Sequence, residues 1–215
     1  MSSVSISILD CDFSKIKKDI NNINKSIAKY IHIDIMDGFF VHRNTEKIFN
    51  IDKIKSLTDK KIDIHLMVCN PKKFILNLSK YNPYIISFHI ESDQNINDNI
   101  TLIKSYGIKC GIAINPDTEL NKINKYLNKI DLILIMSVNP GKGGQKFKES
   151  TFQRLKLLKQ KIIDSKLETK IEVDGGIDNS VSKKLNNLGA DILVSGSYLI
   201  KNDSIKKGVN SLLKV

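Results

Sequence analysis

The stretch YIHIDIMDG, residues 30–38, alternates apolar and polar side chains in the way that a β-strand does. Side chains repeat every two residues along a strand, so His32, Asp34 and Met36 point to one face. A histidine and a carboxylate on the inward face of a strand are costly unless they are paired or hold a metal ion. One strand leaves both alternatives open, and the rest of the chain has to distinguish them.

Seven further runs rich in β-branched residues are separated by amphipathic, lysine-rich segments with helical periodicity. The predicted strands are residues 4–9, 30–36, 61–68, 84–91, 109–115, 131–138, 170–176 and 191–197. Gly107 and Gly189 stand where a helix C-cap favours glycine. Eight alternations of strand and helix predict an α/β fold, a parallel (β/α)8 TIM barrel formed by residues 1–215 as one domain. A doubly wound open sheet is the alternative.

Composition places the chain among soluble globular proteins, since 41% of its 215 residues are hydrophobic and 27% are charged. No apolar run reaches the roughly 18 residues that span a bilayer, and the N-terminus lacks the pattern of a secretory signal. Three widely spaced cysteines favour free thiols over a disulfide framework or a CxxC metal site. We therefore expect a cytoplasmic protein with no membrane partner.

The net charge of +11, from 34 basic and 23 acidic residues, attracts anions, either nucleic acid or phosphorylated metabolites. The lysines are spread along the helical segments rather than gathered in one block. This distribution argues against a dedicated nucleic-acid surface.

Polar residues recur near the C-terminal ends of the predicted strands, where TIM barrels carry their active sites. Those with metal-ligating side chains are His32, Asp34, His65 and Asp174. Two imidazoles and two carboxylates suit a catalytic divalent ion such as Zn²⁺, Fe²⁺ or Mn²⁺. A hydrogen-bonded His–Asp network without metal is the alternative, and four residues from three strands favour the metal. The other histidines, His42 and His89, receive no role.

Glycine-rich stretches follow the last three predicted strands. They contain Gly141, Gly143 and Gly144 after the sixth strand, Gly175 and Gly176 after the seventh, and Gly196 with Ser197 after the eighth. In TIM barrels the loops after strands seven and eight commonly bind phosphate through backbone N–H groups. We expect a phosphate site there.

Two carboxylates beside a metal, with phosphate held by backbone, suit proton abstraction next to a carbonyl. Asp34 or Asp174 would remove the proton on one face, and the other aspartate would return a proton on the opposite face. A metal would stabilise the enediolate as it forms, and the outcome is inversion at that carbon. Met36, Met67 and Met136 pack in the core or form an apolar floor that excludes water.

The sequence resembles the ribulose-phosphate 3-epimerase family nearly end to end. The motifs that carry the resemblance are SISILDCDF (5–13), HIDIMDGFFV (32–41), HLMVCNP (65–71), FHIES (88–92), GIAINPDT (111–118), MSVNPGKGGQKF (136–147), VDGGI (173–177) and VSGSYL (194–199). The resemblance implies a TIM barrel of the ribulose-phosphate-binding type. It also implies interconversion of D-ribulose 5-phosphate and D-xylulose 5-phosphate in the pentose phosphate pathway.

The resemblance further implies one divalent metal per chain, Zn²⁺ or Fe²⁺ first and Mn²⁺ or Co²⁺ next, on the quartet His32, Asp34, His65 and Asp174. Asp34 and Asp174 would be the acid/base pair. The implied substrate contacts are Ser7, His65, Asp174, a mobile loop at Gly141, Gly143 and Gly144, and a phosphate grip at Gly175, Gly176, Gly196 and Ser197. The three methionines would surround the enediolate.

The chain departs from the family pattern at four places. Ile6 replaces a proline between two serines, and Asp10 and Cys11 replace small residues. The turn at His42 and Arg43 lacks a proline, and Lys142 replaces an aromatic residue in the mobile loop. Lys142 either reaches the phosphate or points to solvent. None of these changes falls on a proposed ligand or base.

Three other functions remain as alternatives. The nearest is a 3-epimerase of a six-carbon ketose phosphate such as D-allulose 6-phosphate. A non-catalytic, basic nucleic-acid-binding protein would not need the quartet, and a barrel decarboxylase would leave it unexplained. Whether the chain forms a homo-oligomer is left open by the sequence.

Overall fold

The computed structural model describes residues 2–92 and 95–213 and contains a closed barrel of eight parallel strands in chain order, with β8 hydrogen-bonded to β1. The strands are β1 Ser3–Ser7, β2 Tyr30–Met36, β3 Lys61–Met67, β4 Ile85–His89, β5 Lys109–Ile114, β6 Leu132–Met136, β7 Lys170–Asp174 and β8 Ile192–Ser195. The predicted TIM barrel is confirmed, and the open sheet is wrong because the barrel has no free edge.

Helical segments follow the strands and cover the outside of the barrel. The α-helices are α1 Ile16–Asn24, α2 Ile51–Ser56, α3 Pro71–Ser79, α4 Ile96–Ser105, α5 Ser150–Asp164, α6 Asn179–Asn187, α7 Ser197–Ile200 and α8 Ile205–Leu213. Leu120–Lys129, between β5 and β6, is a 3-10 helix, as is the short Phe13–Lys15. No helix in the described ranges is long and apolar enough to cross a bilayer.

Local sequence signals set several helix ends. The Asn70 side chain accepts the Lys73 N–H ahead of α3, and Pro71 occupies the first turn, where its missing N–H costs no hydrogen bond. Gly107, after α4, and Gly189, after α6, have φ of 73° and 91°, the left-handed values that a C-cap glycine supplies.

The register of the parallel strands determines which side chains meet inside the barrel. On β2 and β3, His32 is the neighbour of Asp63, and Asp34 is the neighbour of His65. One layer further towards the C-terminal end, Met36 is level with Met67. Between β2 and β3, two successive polar pairs are therefore followed by an apolar pair nearest the carboxyl ends of the strands.

Candidate active site

The predicted metal quartet meets at the C-terminal ends of β2, β3 and β7. Each of His32, Asp34, His65 and Asp174 offers one ligand atom, and these atoms all lie within 4.8 Å of one another. Asp34 Oδ1 is 3.3 Å from His32 Nε2 and 3.2 Å from His65 Nδ1. Asp174 Oδ2 is 3.8 Å from the same His65 nitrogen. The structure thus brings together two imidazoles and two carboxylates at spacings that one cation can bridge.

His32 is oriented by the carboxylate of Asp63, its neighbour on β3. Its Nδ1 lies 2.7 Å from Asp63 Oδ2, which also accepts the Ser5 hydroxyl at 2.8 Å. This contact turns Nε2 towards the quartet, where it is buried and has no hydrogen-bond partner among the described residues. A histidine with one nitrogen held by a carboxylate and the other facing acidic oxygens has the arrangement that metal sites use. The donor set fits a divalent ion.

The electrostatics of the quartet also favour a positive charge at its centre. Burial opposes ionisation of His32, but the carboxylates of Asp63 and Asp34 outweigh it and raise the pKa of the imidazole well above its usual range. Without an ion, a proton on His32 offsets the surrounding negative charge. A divalent cation supplies the same compensation and releases that proton when it binds.

The two aspartates of the quartet have pKa values displaced in opposite directions. Burial alone would raise the pKa of Asp34, but the charge and hydrogen bonds of His32 and His65 hold it below its usual range. Burial raises the pKa of Asp174 to about 7; the charge on His32 opposes this rise, and the charges on Asp34 and Asp63 add to it. Near pH 7, and without a bound cation, Asp34 is therefore ionised and Asp174 is divided between its protonated and ionised forms.

A cavity of about 550 Å³ opens above the quartet and contains most of the residues predicted for substrate. Its lining includes Ser7, Gly141, Gly143, Gly144, Gly175, Gly176, Gly196 and Ser197. Met36, Met67 and Met136 also line it and are themselves at most 2% exposed. Ser7 donates its hydroxyl to Asp34 Oδ2 at 2.9 Å. The cavity thus combines buried methionines, the two carboxyl groups of the quartet and a glycine-rich wall.

The glycine-rich wall after β7 requires unusual backbone geometry. Gly175 and Gly176 have φ of 119° and 60°, and a Cβ on Gly176 would lie 2.5 Å from the carbonyl oxygen of Gln145. Only glycine fits this approach between the β7 turn and the loop after β6. The hydroxyl of Ser137 donates to the carbonyl oxygen of Gly175 at 2.6 Å and fixes the same turn from the β6 side.

The loop after β6 and the turn after β2 lie against each other at the rim of the cavity. A Cβ on Gly141 would lie 2.9 Å from the Cβ of Val41. Asp37 holds the β2 turn because its carboxylate accepts the N–H groups of Phe40 at 2.9 Å and Cys69 at 2.7 Å. Lys142 is exposed at this rim. The turn that contains His42 and Arg43 is therefore fixed by a buried carboxylate.

Asp10 places a carboxylate at the glycine-rich wall. Ser197 donates its hydroxyl to Asp10 Oδ2, and a Cβ on Gly143 would lie 2.5 Å from the same oxygen. The sequence singled out Asp10 as a departure from the family pattern but gave it no place in the site. In the structure, Asp10 lies at the predicted phosphate grip.

Sequence reasoning missed four buried or partly buried polar residues around the quartet, namely Asp63, His89, Glu91 and Glu172. Asp63 and Glu172 precede His65 and Asp174 by two residues, so strand periodicity could have placed them on the same inward face. Burial and the charge of Asp63 raise the pKa of Glu172 well above its usual range, so Glu172 is a neutral acid. His89, which received no role, has Nε2 2.9 Å from Nε2 of His65.

Comparison with known proteins decides the family. The model of the ribulose-phosphate 3 epimerase family matches residues 3–200. This chain belongs to that family. It is 42% identical over 205 residues to the ribulose-phosphate 3-epimerase of Buchnera aphidicola, covering 93% of this chain and 89% of that protein. The family protein of Bacillus subtilis is 35% identical over 213 residues, covering 99% and 98% respectively.

Solved structures outside the epimerase family share the fold. A mutant tryptophan synthase α-subunit from Pyrococcus furiosus matches with a TM-score of 0.72 at 15% identity, covering 99% of this chain and 97% of that one. The 3-hexulose-6-phosphate synthase of Salmonella typhimurium matches with a TM-score of 0.70 at 13% identity, covering 98% and 96%. At these identities the likeness concerns the barrel alone.

Proposed function

We propose that the protein is a 3-epimerase that interconverts D-ribulose 5-phosphate and D-xylulose 5-phosphate. The observation that carries the proposal is the pair Asp34 and Asp174, whose pKa values are displaced in opposite directions beside one cation-binding cluster. Inversion at a carbon next to a carbonyl needs one group that accepts a proton and another that supplies one. Family membership gives independent support, and it makes the chain an isomerase.

His32, Asp34, His65 and Asp174 would hold the divalent metal. Zn²⁺ and Fe²⁺ suit these ligands, and so do Mn²⁺ and Co²⁺. When bound, the metal polarises the carbonyl and offsets the negative charge that develops as the proton leaves.

The proton moves between the substrate carbon and the two aspartates. Asp34, ionised and oriented by the Ser7 hydroxyl at 2.9 Å, takes the proton from C3 on one face. Asp174 supplies a proton to the opposite face, and in the reverse reaction the two exchange roles. Met36, Met67 and Met136 keep bulk water from the reacting carbon, because their buried side chains line the cavity beside the quartet.

The substrate phosphate would be held by the loops after β7 and β8. Gly175, Gly176, Gly196 and Ser197 bring backbone N–H groups close to the cavity, and the basic surface attracts the dianion. The relatives are named for ribulose phosphate, which favours the five-carbon substrate over D-allulose 6-phosphate. Neither nucleic acid nor a membrane is a partner in this proposal, and the protein acts in the cytoplasm.

The proposed reaction is tested by NMR of D-ribulose 5-phosphate incubated with metal-loaded protein in D₂O. We expect deuterium at C3 together with xylulose 5-phosphate, because the returned proton comes from a carboxyl group that exchanges with solvent. A parallel incubation with D-allulose 6-phosphate compares the turnover of the six-carbon sugar with that of D-ribulose 5-phosphate. Exchange without xylulose 5-phosphate would contradict the two-base assignment, and faster turnover of the six-carbon sugar would contradict the substrate assignment.

Asp10→Asn removes a negative charge at the proposed phosphate grip while keeping an oxygen that accepts the Ser197 hydroxyl. We expect KM to fall by about three- to tenfold at low ionic strength with kcat nearly unchanged, because one partly solvated charge contact contributes about 1 kcal/mol. The difference should shrink as salt is added. Asp12→Asn, outside the cavity lining, is the matched control for charge. An unchanged KM for Asp10→Asn would show that the carboxylate does not oppose phosphate.

A further inference from the structure

His65 is linked to a carboxylate through a second histidine on the next strand. Its Nε2 lies 2.9 Å from Nε2 of His89, and Nδ1 of His89 lies 3.1 Å from Oε2 of Glu91. Both imidazoles are completely buried, and their rings stack with centroids 5.0 Å apart. Phe40 covers His89 from the β2 turn with a centroid distance of 4.8 Å. The link is therefore shielded from exchange with water.

The other oxygen of Glu91 is occupied by two donors. Oε1 accepts the backbone N–H of Asn115 at 2.9 Å and the hydroxyl of Thr118. Since Oε1 is held by these groups, Oε2 is directed at His89. The side chain of Glu91 remains 22% exposed, which is compatible with an ionised carboxylate. Glu91 thus presents an oxygen that can only accept a hydrogen bond.

This arrangement fixes the proton positions on both imidazoles. A carboxylate oxygen at His89 Nδ1 requires the His89 proton there, so Nε2 of neutral His89 carries a lone pair. That lone pair must accept from His65, so the His65 proton is on Nε2. When a cation is bound, the remaining lone pair of neutral His65 is then on Nδ1, the atom that lies 3.2 Å from Asp34, its hydrogen-bond partner without the cation, and 3.8 Å from Asp174.

We propose that His89 and Glu91 are positioning residues that set the tautomer of His65, so that its Nδ1 lone pair faces the metal quartet. The inference deepens the proposed function and rests on it for the presence of a metal. It assigns to His89 and Glu91 the orienting task for His65 that Asp63 performs for His32 on the other side of the site. A purely structural role for His89 would not depend on which nitrogen holds the proton.

Glu91→Gln discriminates between these roles because glutamine has only one accepting oxygen. The native side chain accepts from Asn115 and Thr118 on one oxygen and from His89 on the other. If the amide oxygen keeps its hydrogen bonds from Asn115 and Thr118, the NH₂ group faces Nδ1 of His89. That nitrogen must then carry a lone pair to accept the hydrogen bond. Both imidazoles must then shift their protons, which places an N–H of His65 at the quartet.

The first measurement uses metal-free wild-type protein labelled with ¹⁵N-histidine, since long-range ¹H–¹⁵N correlations distinguish the two tautomers. We expect protons on Nε2 of His65 and on Nδ1 of His89 and none on Nε2 of His89, whether or not Nδ1 of His65 also donates a proton to Asp34 in the metal-free protein. Any other pattern in the wild type overturns the proposal without reference to a variant or to activity.

The second measurement compares Co²⁺ affinity, determined by competition with a chromophoric chelator, between wild type and Glu91→Gln. We expect inverted tautomers and an affinity weaker by about 10- to 100-fold, the usual effect of losing an orienting partner of a ligand. Glu168→Gln makes the same substitution at an exposed position before β7, away from the link, and is the matched control, with affinity within about twofold of wild type. Native tautomers and affinity in folded Glu91→Gln would overturn the proposal.

The two readouts separate this inference from the proposed function. Wild-type protein with the expected tautomers but no Co²⁺ binding would support the link and contradict a metal-dependent epimerase. Normal epimerisation by wild type with the opposite tautomers would support the enzyme and overturn the link.

Discussion

We expect Asp174→Asn to lower kcat for epimerisation by about 10²- to 10⁴-fold, the usual contribution of a general acid or base, while the barrel stays folded. The variant cannot supply or accept the proton on its face of the substrate. Asp34 can still remove and return a proton on the other face. We therefore expect slow deuterium exchange in one of the two sugars without conversion to the other, measured by NMR in D₂O.

Asp34→Asn provides the complementary result, since exchange should then survive only in the opposite epimer. Because both residues belong to the metal quartet, each variant is assayed at saturating metal after its metal affinity has been measured. Asp164→Asn, at the exposed end of α5, is the control and should behave as wild type. Near-normal kcat in metal-loaded Asp174→Asn would refute its role in proton transfer.

We expect removal of the proposed metal to abolish epimerisation and to lower the thermal stability of the protein. The quartet brings two carboxylates together with His32 and His65 in a buried site, and a cation bound only by the folded state stabilises it. At about 100 times the dissociation constant this stabilisation is about 2.7 kcal/mol, which raises Tm by about 5–10 °C in a chain of this size. Activity and Tm should both return when Zn²⁺ or Fe²⁺ is added after chelation.

The matched variants for this experiment are His32→Ala and His42→Ala. His32 is buried at the quartet, whereas His42 is exposed on the β2 turn. We expect Tm of His32→Ala to lose its response to metal and Tm of His42→Ala to keep it. Full activity of thoroughly chelated wild-type protein would contradict the metal-dependent reaction.

The barrel was predictable because its signal is local and repeated eight times. β-branched runs such as residues 30–36 predict strands, and that predicted range coincides with β2. The predicted strands overshoot where glycine ends the sheet. Residues 170–176 were expected in the seventh strand, but β7 stops at Asp174 because Gly175 and Gly176 turn the chain with positive φ.

The quartet could be assembled from the sequence because each member is a ligating side chain near the end of a strand. Strand periodicity could also have placed Asp63 and Glu172 on the inward face, two residues before His65 and Asp174. The side chains that they meet follow from the register between neighbouring strands, which the spacing within one strand does not give. The link from His65 to Glu91 crosses from β3 to the end of β4, and no spacing within the chain encodes it.

The closure of β8 onto β1 has a consequence for the length of the substrate. The metal quartet belongs to β2, β3 and β7, the proposed phosphate grip belongs to the loops after β7 and β8, and Ser7 on β1 lies between them. A Cβ on Gly196 would lie 3.2 Å from the Cβ of Ser7, so a larger residue at this position would crowd β1. In the proposed reaction, the positions of these strands around the closed barrel would set the distance from the reacting carbon to the phosphate and so the length of sugar that fits both sites.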